Sequence, residues 1–234
     1  MSIFTSFSII IAAMLILGFS QLSSGVLALQ THYALGKFSR SKASSLALFF
    51  ILGVVILSIC FFVSIYFLIS ILSLSNQIVF NQITIWIFGS IFITLALFCL
   101  LFYYRRDKNS QLFIPRSLAK ALGHDAASIR TRPNATRLGL FSYCCEFFLT
   151  LPLYIIVSIA LFKIENFGLL SIFLAILFIL APTIPLFLIL LEYHSGFNLA
   201  DILKNRIKNK PFIRILLSFC FFIIAALIIY SGTF

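Results

Sequence analysis

Apolar residues in this chain fall into long uninterrupted blocks separated by short polar stretches, with neither strand-like alternation nor the one-sided stripe of a soluble helix. Blocks of about 20 residues match the roughly 30 Å hydrocarbon thickness that an α-helix must cross. Six are present: about Ile3 to Leu29, Leu46 to Leu72, Phe80 to Tyr104, Leu138 to Phe162, Phe167 to Leu191 and Phe212 to Tyr230. The pattern predicts an all-α polytopic membrane protein with six transmembrane helices. The links Ser73 to Val79 and Lys163 to Asn166 hold only turns, which predicts antiparallel packing of the second helix with the third and of the fourth with the fifth.

Composition agrees that lipid is the main solvent. Of 234 residues 62% are hydrophobic, 10% are charged and 29 are Phe, against roughly 45–50% apolar and 25% charged in soluble domains. A net charge of +11 would point to nucleic acid in a soluble protein, but the placement of the charges points elsewhere. Sixteen of the seventeen Lys/Arg lie in three alternate polar stretches. These hold Lys37, Arg40 and Lys42; Arg105, Arg106, Lys108, Arg116, Lys120, Arg130, Arg132 and Arg137; and Lys204, Arg206, Lys208, Lys210 and Arg214. The positive-inside rule makes all three cytoplasmic and both termini external. Anionic lipid, and no nucleic acid, is then the expected partner of the basic loops. Short loops and an N-terminus without the basic start of a signal peptide fit a multi-pass protein of the plasma membrane, of the bacterial inner-membrane kind.

The same division separates residues 1–104, a first three-helix half, from residues 138–234, a second, with the basic segment 105–137 between them. Three spans per half give the halves opposite orientation, as in an inverted repeat. Within the basic segment, Pro115 can open a helix whose Leu118, Leu122, Ala126 and Ile129 share one face on the inner membrane surface. Asn198, followed by Leu199, Ile202, Leu203 and Ile207, repeats the pattern before the last span. The acceptor motif Asn134-Ala135-Thr136 falls on the predicted inside and is discarded for glycosylation.

Polar groups inside the spans carry the candidate chemistry, because a central charge costs at least about 2.5–3.5 kcal/mol on insertion scales. Glu146 lies eight residues beyond Leu138, about 12 Å inside a straight helix. Burial penalises its charged form, so it is placed to take up a proton or to bind a cationic solute group, or else to make a structural hydrogen bond. In the first span Ser20, Gln21, Ser23, Ser24 and Gly25 interrupt the apolar run at a similar depth. Such a cluster permits close helix packing or a local unwinding that turns backbone groups to a ligand. Pro182 and Pro185 predict a break in the fifth span, and Pro152 predicts one in the fourth. Glu192 and His194 fall at the expected inner surface.

No phosphate-cradling loop, metal-ligand spacing or Ser/His/Asp set is present, so neither cofactor nor metal is expected. His32, His124 and His194 lie on separate loops. The cysteines Cys60, Cys99, Cys144, Cys145 and Cys220 all fall within predicted spans and suggest no disulfide framework.

The segment Leu22-Ser23-Ser24-Gly25-Val26-Leu27-Ala28-Leu29 resembles the Leu-Ser-Pro-Cys-Val-Leu-Pro-Leu pattern of the cytochrome c biogenesis transmembrane (CcdA/DsbD) family. It is also similar to the Ser-Pro-Gly stretch in the first span of lysine-exporter (LysE) proteins. The resemblance covers eight residues and the six-span plan. It implies a six-helix protein that moves either reducing equivalents or small solutes. The cysteine a thiol relay requires is Gly25 here, and Ser24 stands where both families carry Pro. The expected function is therefore secondary transport or export of a small polar solute by alternating access, with no enzymatic step and with proton coupling or a cationic solute group as the alternatives for Glu146. A thiol-redox protein using Cys144 or Cys145 and a non-catalytic membrane scaffold are the alternatives, and a homo-oligomer is compatible with each.

Overall fold

The computed structural model describes residues 3–33, 40–74, 82–102, 131–164, 168–194 and 199–232. Every regular element among them is helical. In hydrocarbon no water is present to satisfy backbone polar groups, so segments rich in Ile, Val and Phe, which would favour strands in water, become helices. The elements are α1 (Ile3–Tyr33), α2 (Arg40–Leu74), α3 (Gln82–Phe102), α4 (Arg132–Cys145), α5 (Phe147–Ile164), α6 (Leu169–Leu180), a 3-10 turn (Ala181–Thr183), α7 (Ile184–His194) and α8 (Leu199–Gly232).

Five stretches are long and apolar enough to cross a membrane: Ile3–Gln21, Ser44–Leu72, Thr84–Leu101, Leu169–Leu191 and Pro211–Ser231. The protein is thus membrane-embedded and multi-pass. The region expected to be a fourth span broken at Pro152 is a bent pair, with α4 and the helix after it meeting at 80°. Glu146 stands at the corner. Its carbonyl accepts from the backbone N–H groups of Leu149 and Thr150, which caps the start of α5. The break expected at Pro152 therefore lies upstream, while Pro152 itself sits inside a continuous α5. Proline withholds a hydrogen bond from the carbonyl four residues before it and its ring crowds that turn, so the distortion is taken up on its N-terminal side. The depth of 12 Å for Glu146 assumed a straight helix and does not survive the bend.

One further boundary differs from expectation. The segment Leu199 to Lys210 joins the last span without interruption, making α8 a single helix of 34 residues through Pro211. At about 1.5 Å per residue it is far longer than the hydrocarbon core. The expected surface helix at 118–129 and the cap at Asn198 lie outside the described residues.

Helix α1 is the hub of the bundle, touching α8, α5, α2, α6, α7 and the 3-10 turn. Helix α2 packs along α4 and α5, whereas the main partner of α3 is α8. No comparable contact joins α3 to α2 among the described residues, so their short link does not make them packed neighbours. It holds the chain together at one end and leaves the helices free to diverge. The two sequence halves interleave.

Glycine sets the tightest crossing. A Cβ added to Gly139 on α4 would overlap the Phe50 carbonyl of α2, and one added to Gly53 on α2 would overlap the Thr136 carbonyl. Small residues let helix backbones approach in this way where no hydrophobic effect drives association. Higher along the same interface Phe61 meets Tyr143, and lower down the Arg132 guanidinium lies over the Phe49 ring, 5.4 Å from its centroid. Hence α2 and α4 run parallel, with Lys42 and Arg132 at the same end.

Candidate functional site

The site is built where four elements meet at the bend. Glu146 is only 3% exposed, and Gln21 is fully buried. The Gln21 Nε2 donates to Glu146 Oε2 at 2.6 Å, joining α1 to the corner between α4 and α5. A carboxylate of this kind must be hydrogen-bonded, since an unpaired charge in low dielectric is far costlier than a paired one. The amide offers a donor without adding charge. Glu146 thus faces the bundle interior and not lipid.

Beside this pair lies a chain of buried hydroxyls. Tyr143 Oη, one turn before Glu146 on α4, is 2.6 Å from Tyr154 Oη on α5. Tyr154 Oη is in turn 2.7 Å from Ser58 Oγ on α2. Ser58 also donates to the Ile179 carbonyl of α6 at 3.0 Å. The last contact has a local cause: the residue three positions after Ile179 is Pro182, which has no N–H for a 3-10 bond. Aromatic packing fixes the tyrosines. Phe178 meets Tyr154 edge-on with centroids 5.0 Å apart, and Phe61 lies against both tyrosines at 6.1 Å. Ser58 is the midpoint of the Ser44–Leu72 span, so the chain sits at mid-depth in that helix.

The expected break at Pro182 and Pro185 takes the form of the buried 3-10 turn, after which α7 resumes. Thr183 Oγ1 donates to the Leu180 carbonyl at 2.7 Å, satisfying one acceptor there. Gly18 of α1 faces this turn, with the Ala181 carbonyl 3.4 Å and the Pro185 ring 3.7 Å from where its Cβ would be. The interrupted helix therefore packs on α1 one turn before Gln21.

The structure brings Gln21, Glu146 and the Pro182/Pro185 turn together around α1. Helix α1 remains unbroken through Ser23, Ser24 and Gly25 to Tyr33, so no unwinding occurs in that cluster. The side chains of residues 22–33, and of Glu192 and His194, lie outside the described set. The five cysteines are free thiols, with Cys144 exposed and Cys145 half-buried. Among the described residues no group of His, Cys, Asp and Glu is arranged to hold a metal ion.

Ser58, Tyr143 and Tyr154 were not singled out by the sequence. The available signal was spacing: Glu146, Thr150, Tyr154 and Ser158 recur every four residues, and all four are buried. A polar residue at each fourth position marks one helix face. Comparison with protein-family models, curated proteins and solved structures finds no match for this chain.

Proposed function

We propose that the protein is a secondary transporter or exporter of a small polar solute that works by alternating access, with Gln21 and Glu146 in the solute or coupling-ion path. The observation that carries the reading is the buried Gln21–Glu146 hydrogen bond at the corner of a bent membrane helix. Broken helices lining a polar interior are how membrane transporters present binding groups within lipid. Taking the bent pair as one span gives the six-span plan. The basic ends then face the cytoplasm, and the loose resemblance to the LysE and CcdA proteins belongs to the same reading.

Helix pairing supports an inverted repeat. In such a repeat the spans of one half correspond in order to those of the other. Here α1 meets α5, α2 meets α6 and α7, and α3 meets α8. The crossing of α2 with α4 at Gly139 has its counterpart in the crossing of α1 with the 3-10 turn at Gly18. The contact of α1 with α8 has no equally strong counterpart between α3 and α5 among the described residues.

The test is uptake of a labelled solute library by proteoliposomes, with and without a pH gradient. Wild type is expected to move at least one polar solute faster than empty liposomes. Glu146→Gln is expected to lower that flux roughly a hundredfold, the equivalent of about 2.7 kcal/mol lost from the rate-limiting step. Unchanged flux in Glu146→Gln removes Glu146 from the mechanism.

A further inference from the structure

Four polar side chains form one stripe along the inward face of α5 and its corner: Glu146, Thr150, Tyr154 and Ser158. All are buried, Ser158 completely. From Glu146 to Ser158 is twelve residues, or about 18 Å along a helix. The stripe leads from Glu146 away from the basic start of α4 towards the Lys163 end of α5. Among the described residues Ser158 Oγ has no hydrogen-bond partner, and neither has the fully buried Ser6 Oγ in the first turn of α1. A serine in a helix can usually bond its own preceding turn, as Ser8 does to the Phe4 carbonyl at 3.0 Å and Ser20 to Leu17 at 2.9 Å. A buried hydroxyl left unpaired costs free energy and calls for a partner that comes and goes, such as water.

We infer that this stripe is a proton-conducting path that loads Glu146 from the side of the membrane opposite the basic segments. Each hydroxyl both donates and accepts, so a proton received on one oxygen releases another from the far side. One proton enters at Ser158 and one arrives on the Glu146 carboxylate, while every hydroxyl is regenerated. The Tyr154–Tyr143 contact at 2.6 Å supplies a rung already in place, ending one turn from Glu146. Rungs four residues apart are about 5–6 Å from one another, a gap that a single water can bridge. Among the described residues the Glu146 carboxylate is close enough to act electrostatically on Tyr143 and Cys145. Gln21, from α1, contributes a neutral donor. The inference deepens the transport reading by naming the coupling ion, but it can be tested without any solute.

The measurement is infrared spectroscopy of the full-length protein in lipid films held in acidic buffer. The carboxylic-acid C=O stretch of Glu146 is assigned by its loss in Glu146→Gln and then followed during a switch to D2O. Its isotope shift is expected to slow roughly tenfold in Ser158→Ala and in Tyr154→Phe, about the rate equivalent of one lost hydrogen bond. Ser158→Thr is expected to restore the wild-type rate. Ser90→Ala, on the distant α3, is expected to leave it unchanged. Ser158→Ala removes an unpartnered hydroxyl and so should fold normally even if Tyr154→Phe does not. Wild-type exchange rates in Ser158→Ala, or no assignable Glu146 band, overturn the path. A path that exchanges in a protein moving no solute sinks the transport reading alone.

Discussion

The α3–α8 pair and the α2–α4–α5 group both hold membrane helices in close contact, yet they use different means. Between α3 and α8 the contact is mainly apolar, with Phe92 against Phe221 at 6.1 Å and Gly89 beside the flexible end of Ile229. An inter-helix hydrogen bond accompanies it, from Ser218 Oγ to the Ala96 carbonyl at 2.9 Å. Trp86, Ile87, Leu101, Phe212 and Phe219 are left outward for lipid. In the α2–α4–α5 group the backbones themselves touch at Gly53 and Gly139, the helix is broken, and hydroxyls link three helices through Ser58, Tyr143 and Tyr154. Polar groups and a sharp bend are costly in hydrocarbon, so their concentration in one group is why the proposed function is placed there. The α3–α8 pair shows how the same chain packs two membrane helices with neither a bend nor a chain of hydroxyls.

The sharpest break in that contrast comes from Gly139→Ala. The added methyl meets the Phe50 carbonyl of α2, and backbone cannot rotate aside as a side chain can. The expected cost is about 3 kcal/mol, the upper end for overpacking, read as a fall in the unfolding midpoint in mixed detergent micelles. In Gly89→Ala the new atom meets only Ile229 Cγ1 and Cδ1, which can change rotamer. The expected loss there is below about 1 kcal/mol. Equal losses at the two positions would show that backbone contact is not what distinguishes the groups.

The polar half of the contrast is tested by a double-mutant cycle on Gln21 and Glu146. Gln21→Leu removes the amide donor and leaves the buried carboxylate short of a partner, which is expected to cost about 2 kcal/mol. Adding Glu146→Leu should recover most of that loss, because replacing both members of a buried pair by apolar groups is often nearly neutral. The coupling read from the four unfolding free energies is expected to be well above 0.5 kcal/mol in magnitude, with the double mutant losing less than the sum of the single mutants. Purely additive losses would mean that the two side chains do not interact in the bilayer.

Much of this architecture could be read before any coordinates, and the residues that escaped did so for identifiable reasons. Glu146 stood out because a charge in an apolar run is too expensive to be casual, and Gln21 because it lies at similar depth. Five full spans followed from block length alone. Ser58, Tyr143 and Tyr154 were inconspicuous because hydroxyls are cheap in membrane helices, where they can bond their own backbone. The four-residue recurrence from Glu146 to Ser158 is inconspicuous because three of its four members are uncharged hydroxyls. The bend was placed at Pro152 and not at Glu146 because proline's missing hydrogen bond acts on the turn before it. The pairing of α3 with α8 was out of reach, since a short link constrains chain ends and not the packing of whole helices.

The smallest expected effect separates the two groups most cleanly. Ser218→Ala deletes the α8 hydroxyl that donates to the Ala96 carbonyl of α3. That carbonyl lies in a continuous helix and keeps its backbone partner, so the loss should be close to the average of about 0.6 kcal/mol for hydrogen bonds between membrane helices. Ser58→Ala deletes a hydroxyl of the same kind, but the Ile179 carbonyl it serves lies beside the proline break, and Tyr154 Oη loses a neighbour as well. Its expected cost is about 1.5 kcal/mol, towards the upper end for such bonds. Measured side by side in the same micelles, a ratio of two or more supports the view that the hydroxyl chain props up a broken interior. A ratio near one would make Ser58 an ordinary packing serine and reduce the contrast between the groups to their glycines.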